Sequence, residues 1–319
     1  STDLETLTGK RPVTLLGREW QFRPGAVGSR EWERSRLAAL YALAQGEAPL
    51  VVATADGLMA RTLPPETLRS LALTLEVGEQ ADLGQLTERL LSAGYTRCEQ
   101  VEGVGQFALR GGILDVFSPL MDQPVRCEFF DDEIDSMGAF DPGTQRRTRN
   151  VSSARILPAA EVLPHCAPGG LTGLAETLAA LAEKLAKKQK TEAIVQTLRE
   201  DAERLRSGAA LGAADRYLAA IYPEVTAGVH YLPTDAVVFF SESGRVDERV
   251  KNTVLQQKQD VEALLSAGVL AGDYAHLTLT AEELYAALEE FPVILEDSLP
   301  TSRHPLRPRG LLTMNAKQL

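Results

Sequence analysis

Residues 94–147 read GYTRCEQVEGVGQFALRGGILDVFSPLMDQPVRCEFFDDEIDSMGAFDPGTQRR, and their alternation decides the fold. From about residue 99 to 141, short runs of alternating apolar and polar residues are broken by Gly103, Gly105, Gly111-Gly112, Pro119 and Pro124. A period of two marks a strand with one covered face, and close-set strands with short turns imply antiparallel meanders. In the run from Val125 to Phe130, alternation sends Val125, Cys127 and Phe129 one way and Arg126, Glu128 and Phe130 the other. In the run from Gln106 to Arg110, it sends Phe107 and Leu109 inward and Ala108 and Arg110 outward. Gly111-Gly112 permits a tight turn or bulge before Ile113. If the two strands are neighbours, Arg110 joins Arg126 and Phe130 on one open surface, with Glu128 and Asp115 beside them. Two arginines flanking an aromatic have the make-up of a protein-binding hot spot. The competing reading is an ordinary surface ion pair, worth about 0–1 kcal/mol, beside a Phe130 folded back at a strand end. Pattern alone leaves the two open.

The flanks of this stretch have a different texture. On the amino-terminal side, Leu37, Leu40, Tyr41 and Ala44 recur at helical spacing, with Trp32 earlier on the same helix, Ser29 as N-cap and Gly46 as stop. Residues 50–54 (LVVAT) form an apolar run of the buried parallel-strand type, and residues 73–77 predict another strand. Asp82, with Gln85 three residues on, opens a helix that stops at Gly94. On the carboxy-terminal side, residues 171–206 predict two helices broken near Gln189-Lys190, and residues 246–267 a long helix closed by Gly268. Residues 235–241 (DAVVFFS) predict a buried strand, Thr280 and Glu283 a capping box, and Val293-Ile294-Leu295-Glu296 a last strand. Helices alternating with strands on both sides imply an α/β fold interrupted by a small β-rich domain. The expected divisions are 1–78, 79–157 and 158–319.

Composition narrows the function. The chain has 319 residues, with 33 Lys and Arg against 44 Asp and Glu, a net charge of −11. A grip on nucleic acid needs a basic surface, so the balance favours a protein partner. Arg146, Arg147 and Arg149, and Lys184, Lys187, Lys188 and Lys190, are the basic clusters, and they read as solvated faces. Cys98, Cys127 and Cys166 are far apart and odd in number, which fits a reducing cytoplasm; with the four scattered histidines they offer no metal spacing. No apolar run is long enough to cross a bilayer. The first ten residues lack a secretion-signal layout. There is no starting Met and no natural stop after Met314, so the chain reads as a piece of something longer.

Catalytic motifs are missing. Gly9-Lys10 is followed by Arg11 and has no upstream glycine spacing, so it is no P-loop. Gly103-Val104-Gly105 precedes a strand instead of opening a helix, which removes the dinucleotide reading. Asp131-Asp132-Glu133 reads as a solvated turn between strands, since nothing nearby would hold a phosphate beside a magnesium ion. Neither a cofactor nor a metal is expected in this chain.

Residues 94–147 resemble the damage-recognition module shared by UvrB and the transcription-repair coupling factors. The resemblance rests on Val101-Glu102, Gly105-Gln106-Phe107, the run from Arg110 to Asp115 and the run from Glu128 to Ser136. Phe140-Asp141, Thr144-Gln145-Arg146 and Leu157-Pro158-Ala159 favour the coupling factors, as do Trp32-Glu33, Arg36-Leu37 and the run Val51-Val52-Ala53-Thr54. The resemblance implies an incomplete RecA-like α/β unit interrupted by a small β-rich α+β domain that docks the excision-repair protein UvrA. Family docking positions match Arg110, Arg126 and Phe130. It also implies that ATP, magnesium, DNA and RNA polymerase are handled only by regions outside this chain, that the chain itself is not an enzyme, and that the protein is cytoplasmic, with no membrane. Alanine at Arg126 or Phe130 is expected to leave folding intact and weaken UvrA capture. Ser118 separates Phe117 from Pro119 where the family has Phe-Pro. The alternatives are a UvrB fragment, or a RecA-like module that binds nucleotide or DNA.

Overall fold

A computed structural model of the chain describes residues 2–25, 30–188, 191–297 and 305–306. Ser29 and the Gln189-Lys190 break lie outside them, as does Lys190. Strand β1 (Val13–Leu15) pairs in parallel with β2 (Val51–Ala53), and helix Arg30–Ala44 connects them. That helix buries Leu37, Leu40 and Tyr41, as its spacing predicts, while Trp32 stays 44% exposed. Strand β2 is less buried than expected: Val51 and Val52 are half-covered and Ala53 is exposed. Its reason is structural, since β1 is its one partner among the described residues.

Strand β3 (Leu73–Glu76) departs from the expected division. Expected at the end of the first α/β part, it packs Leu73 and Leu75 in one core with Phe107, Leu114, Val125 and Cys127. Its Leu-Thr-Leu-Glu alternation, buried at the leucines and open at Thr74 and Glu76, is that of an antiparallel strand with one wet face. Helix Leu83–Ser92 follows, capped by Asp82, which accepts from Gln85 N at 2.7 Å. Leu86 and Leu90 join the same core.

Six strands then form one sheet in chain order: β4 (Thr96–Arg97), β5 (Gln106–Arg110), β6 (Ile113–Val116), β7 (Val125–Phe130), β8 (Glu133–Phe140) and β9 (Arg147–Asn150). From β5 to β9 the pairs are antiparallel, as expected, but β4 pairs with β5 in parallel. Strand β10 (Ser153–Ile156) returns to pair antiparallel with β3, Leu73 opposite Ile156 and Leu75 opposite Ala154. Ser118, the odd residue of its turn, is fully buried and its Oγ accepts from Leu157 N at 2.9 Å. Its hydroxyl thus ties the turn after β6 to the returning chain.

Helices Gly170–Ala186 and Glu192–Arg206 fall on either side of the expected break. Their buried leucines share one core with Leu15, Leu37, Leu40, Leu63 and Leu68 from before the sheet. One core drawing on both flanks is what an α/β fold with an insertion requires. Strand β11 (Val238–Ser241) and β12 (Val293–Glu296) form a second parallel pair. The expected burial of residues 235–241 holds only for Phe240, because Val237 and Phe239 are 50% and 66% exposed. Helices Ser243–Ser266 and Ala281–Leu288 cover one side of that pair, and the latter starts with the expected Thr280–Glu283 capping box.

A buried ionic junction locks the flanks to the inserted sheet. Glu161, on the chain leaving it, accepts from Arg36 Nε at 3.1 Å and from Thr62 Oγ1 at 2.6 Å. Arg36 also reaches Leu16 O at 2.6 Å. Arg18 bonds Asp215 at 2.6 Å, and Asp215 accepts from Gln21 N at 2.7 Å. Glu161 N donates to Glu33 at 3.1 Å. Arg34 adds bonds to Pro119 O and Met121 O at 2.6 and 2.7 Å, fixing the loop between β6 and β7 to the first α/β helix.

Candidate partner-binding surface

Register explains how the candidate residues meet. Paired residues of an antiparallel sheet lie on the same face. Ala108 pairs with Asp115, Asp115 with Arg126, and Arg126 with Gly138. One step along the strands, Arg110 pairs with Ile113, Ile113 with Glu128, and Glu128 with Ser136. These two rows place Arg110, Asp115, Arg126 and Glu128 on the face opposite the leucine-rich core. Phe130, two residues past Glu128 on β7, follows on that face, while Phe129 packs against the core on the other.

Asp115 organises the cations. Its side chain has no solvent exposure, and both oxygens are taken by Arg126, Nε to Oδ1 at 2.7 Å and Nη2 to Oδ2 at 2.8 Å. Arg110 Nη2 bonds the same Oδ2 at 2.8 Å. Planar guanidinium forks suit such shared carboxylates. The Asp115 hydrogen bond, set against burial, holds Arg126 above the ordinary arginine range. Arg126 also lies over the Phe140 ring at 4.7 Å, and Arg110 Nη1 donates to Glu99 O at 3.2 Å. The two side chains remain 21% and 47% exposed. Their outer N–H groups are therefore aimed and available at once.

Phe130 is 75% exposed, so the folded-back reading fails. Its backbone is firm: Asp131 takes a left-handed φ of 52° in the turn to Glu133, and Asp132 O accepts from Ala81 N at 2.7 Å. Asp131 and Asp132 form the expected turn between strands. An open ring on a fixed hairpin loses little entropy on binding.

Two placements differ from the alternation argument. Ala108, expected outside, is buried in a second small core with Val101, Phe117 and Phe140, because residues 98–104 fold over that end of the face. Asp115, expected at the surface beside the arginines, is their internal counter-ion. Glu128 is half-buried and accepts from Ser136 Oγ at 2.9 Å. A consequence follows for Arg126. Alanine there strips the bidentate partner from a buried carboxylate and leaves it Arg110 alone, so a stability cost is expected. Arg126→Ala should lower unfolding free energy by about 2–3 kcal/mol, with the more exposed Arg110→Ala costing clearly less; chemical denaturation of both variants checks this.

A residue missed from sequence also reaches this face. Arg147 of β9 lies across Gly138, where a Cβ would stand 1.9 Å from its Nε, and its Nη2 is 3.3 Å from Ser136 Oγ. Only the glycine hints at it in the sequence. The basic helix residue Lys184 is paired with Asp273 at 2.7 Å, in keeping with a solvated face. No helix among the described residues is long and apolar enough to cross a membrane.

Comparison with known proteins bears on this surface. Residues 73–161 match the UvrB interaction domain family, a span that opens at β3 and closes at Glu161. The chain is 28% identical to the transcription-repair-coupling factor of Bacillus subtilis (strain 168) over 99% of its own length and 27% of the relative's. It is 45% identical to that of Myxococcus xanthus over 40% of the chain and 11% of the relative. With that of Staphylococcus aureus (strain USA300) it shares 29% identity over 81% of the chain and 22% of the relative. The chain thus spans at most 27% of the length of these relatives. The resemblance read from its residues, to the UvrB-like region of transcription-repair coupling factors, is borne out.

Proposed function

We propose that this chain is the UvrA-docking part of a transcription-repair coupling factor, an adaptor that brings excision repair to a stalled RNA polymerase. One observation carries the reading: Arg110 and Arg126 are fixed around the buried Asp115, and the bare ring of Phe130 stands on the same sheet face. Aromatic and arginine anchors on a rigid support are the side chains from which binding hot spots are built. The match of residues 73–161 to the UvrB interaction domain supports the same surface. The docking domain is assigned to about that span, and the α/β flanks, an incomplete RecA-like unit, act as its mount through the Glu161 junction and Arg34. Polymerase binding and ATP-driven movement on DNA belong to the longer protein.

Calorimetric titration of purified UvrA with this chain tests the proposal. A saturable isotherm with Kd near or below about 1 μM is expected for an interface of ordinary size. Absence of heat and of co-elution at concentrations well above that value overturns it.

A further inference from the structure

We propose that Arg147 is a third cation of the docking surface and that the partner meets it with an acidic segment, a deepening that rests on the UvrA-docking assignment. Three observations converge. The first is a change of face on β9. Phe140 pairs with Arg147 and Ala139 with Arg149, so Thr148 is an extra residue in the ladder. This bulge breaks the alternation: Arg147 joins the face of Phe140 and Arg126, and Arg149 is sent to the opposite face with Ala139 and Val125.

The second is the seat. Gly138 stands directly opposite Arg126, and the Arg147 guanidinium occupies the space where any other residue at 138 would put its Cβ. Its Nη2 lies 3.3 Å from Ser136 Oγ, and Ser136 in turn donates to Glu128 at 2.9 Å. Arg147 is thus laid flat along the sheet beside Arg126 while staying exposed. Most lysines and arginines on a surface lose rotamer freedom on binding; one already seated loses less.

The third is charge. Arg110, Arg126 and Arg147 face Asp115, which is buried and shared, and Glu128, which is occupied by Ser136. Glu133, paired with Phe130, adds a carboxylate only at the far end of this face, so around Arg126 and Arg147 themselves three guanidiniums meet two carboxylates, in a chain whose net charge is −11. Neighbouring guanidiniums repel one another and gain most from a carboxylate brought between them. An acidic stretch laid across β7 and β8 at Arg126 and Arg147, clear of Glu133 at the Phe130 end, satisfies all three.

The test compares UvrA binding by the wild-type chain, Arg147→Ala, Gly138→Ala and Arg149→Ala at low and high salt. Arg147→Ala should lower affinity about tenfold at low salt and flatten the salt dependence. Gly138→Ala, which displaces the guanidinium, should act in the same direction. Arg149→Ala removes the same charge from the same strand on the other face, and should stay within about twofold of wild type. Equal effects of Arg147→Ala and Arg149→Ala, or none from Arg147→Ala, overturn the inference while leaving the docking assignment in place. Wild-type chain that fails to bind UvrA overturns both.

Discussion

Glu161→Ala should destabilise the chain by about 3–5 kcal/mol, the usual consequence of breaking a buried ion pair from one side. Glu161 is 1% exposed, and removing it leaves Arg36, itself 2% exposed, without its carboxylate and Thr62 without an acceptor. Much of a typical domain's stability is at stake in such a change. The effect should also depend on pH. Burial pushes the Glu161 carboxyl up, but the guanidiniums of Arg36 and Arg18 outweigh it and hold the group below the usual range. A carboxylate depressed in the folded chain contributes stability that is present at neutral pH and lost as pH falls through its folded value. The penalty of Glu161→Ala should therefore be full at neutral pH and shrink on acidification below about pH 4. Glu33 and Asp215 run the other way: burial holds both above their ordinary values, so protonation relieves them. Urea denaturation of wild type and variant across this range reads the difference directly. A penalty below 1 kcal/mol at neutral pH, on the order of a surface pair, would mean that the junction does not lock the flanks to the sheet.

Phe130→Ala should weaken UvrA binding about a hundredfold, the scale of a central aromatic anchor. The same change should leave stability within about 0.5 kcal/mol, because the ring is three-quarters exposed and has no core to vacate. This separation of binding from folding makes Phe130 a cleaner probe than Arg126, whose loss also strips the bidentate partner from the buried Asp115 and leaves it Arg110 alone. Paired titration and thermal melts check both halves. A variant that binds like wild type, or that melts well below it, contradicts the role given to the ring.

The sheet was legible in the sequence because residues 99–141 alternate cleanly and are punctuated by glycine and proline. The faces of Arg110, Arg126 and Phe130 followed from that same period. What alternation could not supply was depth. Asp115 has the same parity as the arginines, but whether a carboxylate on that face is wet or buried depends on which side chains close over it, here Arg110 and Arg126 from the strands on either side of β6. Arg147 was missed for a related reason. Its side depends on the one-residue bulge at Thr148, and a bulge reverses parity without leaving a pattern of its own. The parallel strands were located correctly, but their burial was overstated at Val51, Val52, Val237 and Phe239. An apolar run records the capacity to be covered on both faces, and each of these strands has one neighbour among the described residues. Strand β3 is legible as a strand but its pairing with β10 is not, since a four-residue strand does not announce whether its partner lies before or after it.

UvrA is expected to sit on one face of the six-stranded sheet, at Phe130. A photo-crosslinking aromatic amino acid placed at Phe130 and, separately, at Phe239 tests it most directly, because both rings are well exposed and only the first lies on that face. Covalent capture of UvrA from position 130 and not from position 239 is the expected result. Capture from 239 alone, or from neither while the two proteins still co-elute, would place the contact elsewhere on the chain.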